Sequence, residues 1–127
     1  MPTIPDDLVS TPAEALSQAQ QLLDEDQAFQ AHEVLEAAWK AAPETERDLW
    51  RGLAQLAVGV THAQRGNLVG AARLLRRGAD RIEPWVAQPP HRIDVAGLIM
   101  WAGSTADQLE ASQSDQLPPP RLTRTGR

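Results

Sequence analysis

Leu49-Trp50-Arg51-Gly52-Leu53-Ala54-Gln55-Leu56-Ala57-Val58-Gly59-Val60 is the stretch that decides the fold. Leu49, Leu53, Leu56 and Val60 fall on one side of a helix. Trp50, Ala54, Ala57 and Val58 cover much of the rest. From Gly52 to Val60 only Gln55 interrupts the apolar surface. A helix that is apolar nearly all round is buried, with neighbours on most sides. A membrane span needs about 20 apolar residues, and this run supplies about half of that. The segment therefore reads as the central helix of an all-α domain.

The helices around it are delimited by their caps. Thr11-Pro12-Ala13-Glu14 opens the first, with Thr11 as cap, Pro12 at the first helical position and Glu14 closing a capping box. It runs to about Asp24, and Asp24-Glu25-Asp26 makes a turn and a new cap. The second helix spans about Gln27 to Ala42 and stops at Pro43, since proline disfavours helix in the residue before it. The central helix starts near Glu44 and ends near Arg65, with Gly66 as a left-handed cap. Asn67 caps a fourth helix that ends near Arg81, and a fifth covers about Asp94 to Glu110. Short connections favour antiparallel neighbours. The spacing thus predicts a compact bundle of about five antiparallel helices with a central buried helix, over residues 11–111. Residues 1–10 read as an extended leader. Residues 112–127, rich in Ser, Gln, Pro and Arg, read as a disordered, dispensable tail.

Composition narrows the function classes. The 127 residues include no cysteine, which removes disulfides, thiolate nucleophiles and cysteine-ligated metals. The N-terminus lacks a signal-peptide pattern, so a cytoplasmic protein with no membrane partner is expected. Residues 1–48 carry eleven acids against Lys40 and Arg47, while residues 49–127 carry six acids against ten arginines. The overall charge of −5 makes nucleic acid a poor prior. Arg73, Arg76, Arg77 and Arg81 give the fourth helix a basic face, read as a solvated surface that complements the acidic first two helices. Phosphate or nucleic-acid binding is the alternative there. His91 reads as an exposed loop residue. No glycine-rich phosphate loop, nucleophile elbow or catalytic triad spacing is present, and the sequence leaves open whether the chain is an enzyme.

Polar residues enter the apolar pattern at four places. At about 100° per residue, His32 and Glu36 lie inside a stripe built by Phe29, Leu35 and Trp39. Gln55 and His62 share a side of the central helix, with Gly52 and Gly59 beside them, so another backbone or a ligand can approach closely. The second and third helices should pack together, which would bring His32, Glu36, Gln55 and His62 into one buried cluster.

These residues also carry a family resemblance. Phe29-Gln30-Ala31-His32-Glu33-Val34-Leu35-Glu36-Ala37-Ala38-Trp39 resembles the signature of a bacterial and archaeal family called domain of unknown function 309, with its His-x-x-x-Glu-x-x-Trp hallmark. A second block is similar too: Gly52-Leu53-Ala54-Gln55-Leu56-Ala57, then His62, Arg65-Gly66-Asn67 and Gly70-Ala71. The resemblance implies an all-helical fold and a histidine–glutamate motif suggested to bind metal, but no established activity.

Two readings of the cluster stay open. In one, His32, Glu36 and His62 hold a divalent metal ion, or Trp39 and Gln55 line a small-ligand site. In the other, the cluster is a structural hydrogen-bond network in a helical protein-interaction scaffold. Thr61 to Ala72 loosely resembles one tetratricopeptide unit, and a homo-oligomer is compatible with the sequence. The tryptophans otherwise read as packing residues.

Overall fold

A computed structural model describes residues 11–112 and 119–124. The order is α1 (Pro12–Asp24), α2 (Ala28–Ala41), a 3-10 turn at Glu44–Glu46, α3 (Arg47–Gln64), α4 (Leu68–Ile82) and α5 (Val95–Ser112). Two further 3-10 turns, Glu83–Trp85 and Pro90–Arg92, join α4 to α5. The expected leader, residues 1–10, lies outside the described residues, as do residues 113–118 and 125–127.

Local chemistry sets the helix ends. At α1, Glu14 N–H donates to Thr11 Oγ1 at 3.1 Å and Thr11 N–H donates to Glu14 Oε1 at 2.9 Å, the reciprocal capping box. The turn before α2 differs from expectation. Asp26 does not cap; it takes a left-handed conformation (φ 61°), which aspartate tolerates better than most residues. Gln27 precedes α2 without a side-chain cap. After α3, Gly66 is left-handed at φ 84°, as its position implied.

Consecutive helices pack on one another, and α3 lies between α2 and α4. Leu49, Trp50, Leu53, Leu56 and Ala57 of α3 are all at most 1% exposed, so this helix is the centre of the molecule. Glycines let α4 come close. A methyl group built on Gly52 would sit 2.5 Å from Ile82 Cγ2, and one on Gly78 would sit 2.8 Å from Leu56 Cδ2 and 3.1 Å from the Gly52 carbonyl. What approaches the α3 glycines is α4, through the Ile82 and Leu75 side chains with the Gly78 and Ala71 carbonyls behind them.

The C-terminal segment corrects the sequence reading. Residues 119–124 return to the body. Leu122 is 1% exposed, and Pro120 is also buried. Gln20 of α1 grips the segment twice, donating to Pro120 O at 2.9 Å and accepting from Leu122 N–H at 2.8 Å. Asp94 N–H donates to Leu122 O and Arg124 N–H donates to Arg92 O, around an antiparallel bridge between Ile93 and Thr123. One leucine in a core site and main-chain pairing offset the entropy that composition alone suggested would win.

Candidate functional site

Each residue of the predicted cluster has a local contact of its own. In α2 the buried residues are Ala28, Ala31 and Leu35, with Ala38 and Ala42 continuing the stripe. At about 100° per residue these centre roughly 80° away from His32. His32 therefore sits at the rim, with a side chain 20% exposed, and Glu36 lies further out at 42%. Phe29, which seemed to mark the core face, is 48% exposed. His32 Nε2 is 3.9 Å from Glu36 Oε1, and His32 Nδ1 is buried without a hydrogen-bond partner.

On α3, Gln55 and His62 each have a hydrogen-bond partner outside that pair. Gln55 Oε1 accepts from Arg81 Nε of α4 at 3.0 Å. His62 Nδ1 lies 2.8 Å from Asn67 Nδ2. Asn67 is the α4 N-cap, its Oδ1 accepting from Gly70 N–H at 3.1 Å. His62, Gly66, Asn67 and Gly70 thus form the joint between α3 and α4. A methyl group on Gly70 would collide with the Asn67 amide. The second block of the resemblance is accounted for by this joint and by the close α3–α4 approach. Among the described residues, no group of three or more His, Cys, Asp or Glu side chains is placed to hold a metal ion.

The same residues do share a surface. Arg51, Gln55, Val58, His62 and Arg65 lie within about 40° of one line along α3, and all are exposed or half-buried. This line is the face of α3 left open between α2 and α4. Trp39, half-buried, has the Arg51 guanidinium 5.3 Å over its ring centroid. Phe29 has the Arg65 guanidinium 5.6 Å over its ring and the His32 ring 5.5 Å away. Neither Arg51 nor Arg65 has an ion-pair partner among the described residues.

The other arginines are engaged differently. Arg76 donates to Asp107 at 2.9 Å and Glu110 at 2.6 Å on α5, and these hydrogen bonds raise its pKa above the ordinary guanidinium value. Arg81 reaches Asp48 at 3.3 Å as well as Gln55. Arg76 and Arg81 therefore complement α5 and α3, not α1 and α2 as the charge distribution suggested. Arg73 and Arg77 are exposed.

His91 is exposed, as expected, but its contacts were not foreseen. Its Nε2 lies 2.8 Å from Glu46 Oε1, which also accepts from Trp50 Nε1 at 3.2 Å. The His91 ring packs 5.9 Å from the Trp50 ring. Glu46 standing four residues before a core tryptophan was the available signal. Trp85 and Trp101 pack against the core, as expected.

Comparison with known proteins places these features. Residues 16–74 match the model of the family described as domain of unknown function (DUF309). The uncharacterized protein YpuF of Bacillus subtilis (strain 168) is 46% identical over 89 residues, covering 65% of this chain and 48% of that protein. The chain thus spans about half the length of that relative. No solved structure matches significantly. Among the described residues, no helix is long and apolar enough to cross a membrane.

Proposed function

We propose that this chain, whose residues 16–74 match the DUF309 family model, is a helical interaction module that takes an acidic segment of a partner protein along the open face of α2 and α3. One observation carries this reading. Arg51 and Arg65 are held over Trp39 and Phe29, and neither has a carboxylate partner among the described residues. Arginine stacked on a ring is pre-organised, so less freedom is lost when an anion arrives. The contrast is with Arg76 and Arg81, which already face carboxylates.

The two cations, Arg51 on α3 and Arg65 at its C-cap, are fourteen positions apart, about 21 Å at 1.5 Å per residue. An extended segment spans that in about six residues. Exposed Phe29 and half-buried Val58 supply apolar contact between and beside the charges. Among the described residues, no group of three or more His, Cys, Asp or Glu side chains is placed to hold a metal ion, which leaves the metal reading without a full ligand set. The small-ligand reading has Gln55 engaged with Arg81 and Trp39 covered by Arg51. Both are subordinate to the interaction module.

An NMR titration of the labelled chain with a synthetic glutamate-rich peptide tests the proposal. Amide shifts should concentrate in residues 29–39 and 51–65, weaken with added salt, and vanish in an Arg51→Ala/Arg65→Ala chain of unchanged helicity. Shifts elsewhere, or shifts indifferent to the double substitution, would refute it.

A further inference from the structure

The contact between residues 119–124 and the body has the form of a bound peptide. Its recognition is mostly through main chain. Pro120 O and Leu122 N–H meet the two ends of the Gln20 carboxamide, Leu122 O accepts from Asp94 N–H, and Arg124 N–H donates to Arg92 O. Pro120 and Leu122 are buried on either side of exposed Arg121. Arg121 lies 3.4 Å from Asp24 of α1. Strand addition works this way, with backbone hydrogen bonds providing affinity and alternate side-chain pockets providing choice.

We propose that the groove between α1 and residues 92–94 is a peptide-binding site, occupied in cis by residues 119–124 and able to take the same segment from a second copy of the chain. The receiving groups, Gln20, Asp24 and the backbone of Arg92 and Asp94, belong to the helical body. They meet an identical segment equally well whichever copy supplies it. Exchange of an identical element between copies is a low-cost route to a dimer. Nothing on the α2–α3 face takes part, so this site stands or falls independently of the acidic-segment reading.

The full chain carrying Leu122→Glu tests it, because the substitution disables the cis segment and leaves the groove intact. A labelled peptide of residues 117–127 should bind this chain saturably, and wild type at least about tenfold more weakly, because the tethered segment competes at an effective concentration on the order of mM. Adding Gln20→Ala should abolish binding, as should Leu122→Glu in the peptide. A Gln20→Ala chain mixed with the Leu122→Glu chain should form a species heavier than either alone. Failure of the peptide to bind a helical Leu122→Glu chain, or of the mixture to gain mass, overturns the proposal. If Leu122→Glu loses its helical signal, hydrogen exchange on wild type decides. The amides of Leu122, Asp94 and Arg124 should then open together, at least about tenfold faster than those of Leu53 and Leu56. Exchange no faster than that core would overturn the proposal.

Discussion

His32 sits where a wheel reading goes wrong in an instructive way. Phe29 and Trp39 dominate a search for the buried face of α2 because they are large, yet Ala28, Ala31 and Leu35 occupy it. Small residues allow helices to approach, so they mark the contact, while the aromatic rings lie at the rim beneath Arg51 and Arg65. His32 and Glu36 were legible as neighbours on one helix, but their depth was not. That changes the energetics. A buried pair broken from one side costs about 3–5 kcal/mol, whereas Glu36, 42% exposed, keeps water when its partner leaves. His32 Nδ1, buried and unpaired, also gives up nothing when replaced by carbon. His32→Leu is therefore expected to stay within about 1 kcal/mol of wild type in urea denaturation. A loss of about 3 kcal/mol or more would mean that this histidine ties down a buried charge after all.

Helix ends and the central helix were readable because their signals are local. Thr11, Pro12 and Glu14 place the start of α1, and Gly66 with Asn67 places the α3–α4 turn. The partner of His62 was not readable, because Asn67 reaches it only once Gly66 has turned the chain through a left-handed conformation. The packing of α3 against α4 was half legible. Gly52 and Gly59 announced a close approach, but sequence could not say whether ligand or backbone made it. With Ile82 Cγ2 2.5 Å and the Gly78 carbonyl 3.2 Å from a would-be Gly52 methyl, helix α4 is the answer. Gly52→Ala then sets two effects against each other. The helix gains about 1 kcal/mol in propensity, and overpacking costs about 1–3 kcal/mol. With a 2.5 Å contact to Ile82 Cγ2, overpacking should win by about 1 kcal/mol and lower the urea midpoint. A raised midpoint would mean that the two helices are not pressed together at this point.

The molecule as a whole is a row of helices whose first member is joined to the approach to its last. Gln20 and Asp24 on α1 and residues 92–94 before α5 hold the same segment, residues 119–124. Composition suggested a tail because proline, serine and arginine outnumber apolar residues there. A single buried Leu122 aligned with four engaged main-chain groups is invisible to an average over composition. At this scale the resemblance block also takes its meaning. Its residues lie along one face and in one interhelical joint, spread over α2, α3 and α4. That distribution is the central claim, and thermal melting tests it most directly. An ion bound only by the folded chain, at about 100 times its Kd, would stabilise it by about 2.7 kcal/mol, a shift of several degrees. The predicted result is a wild-type melting temperature unmoved by chelator or by added zinc, manganese or nickel, with His62→Ala melting slightly lower by the same amount under every condition. A wild-type melt that chelator lowers, alongside a His62→Ala melt that chelator leaves alone, would contradict the account.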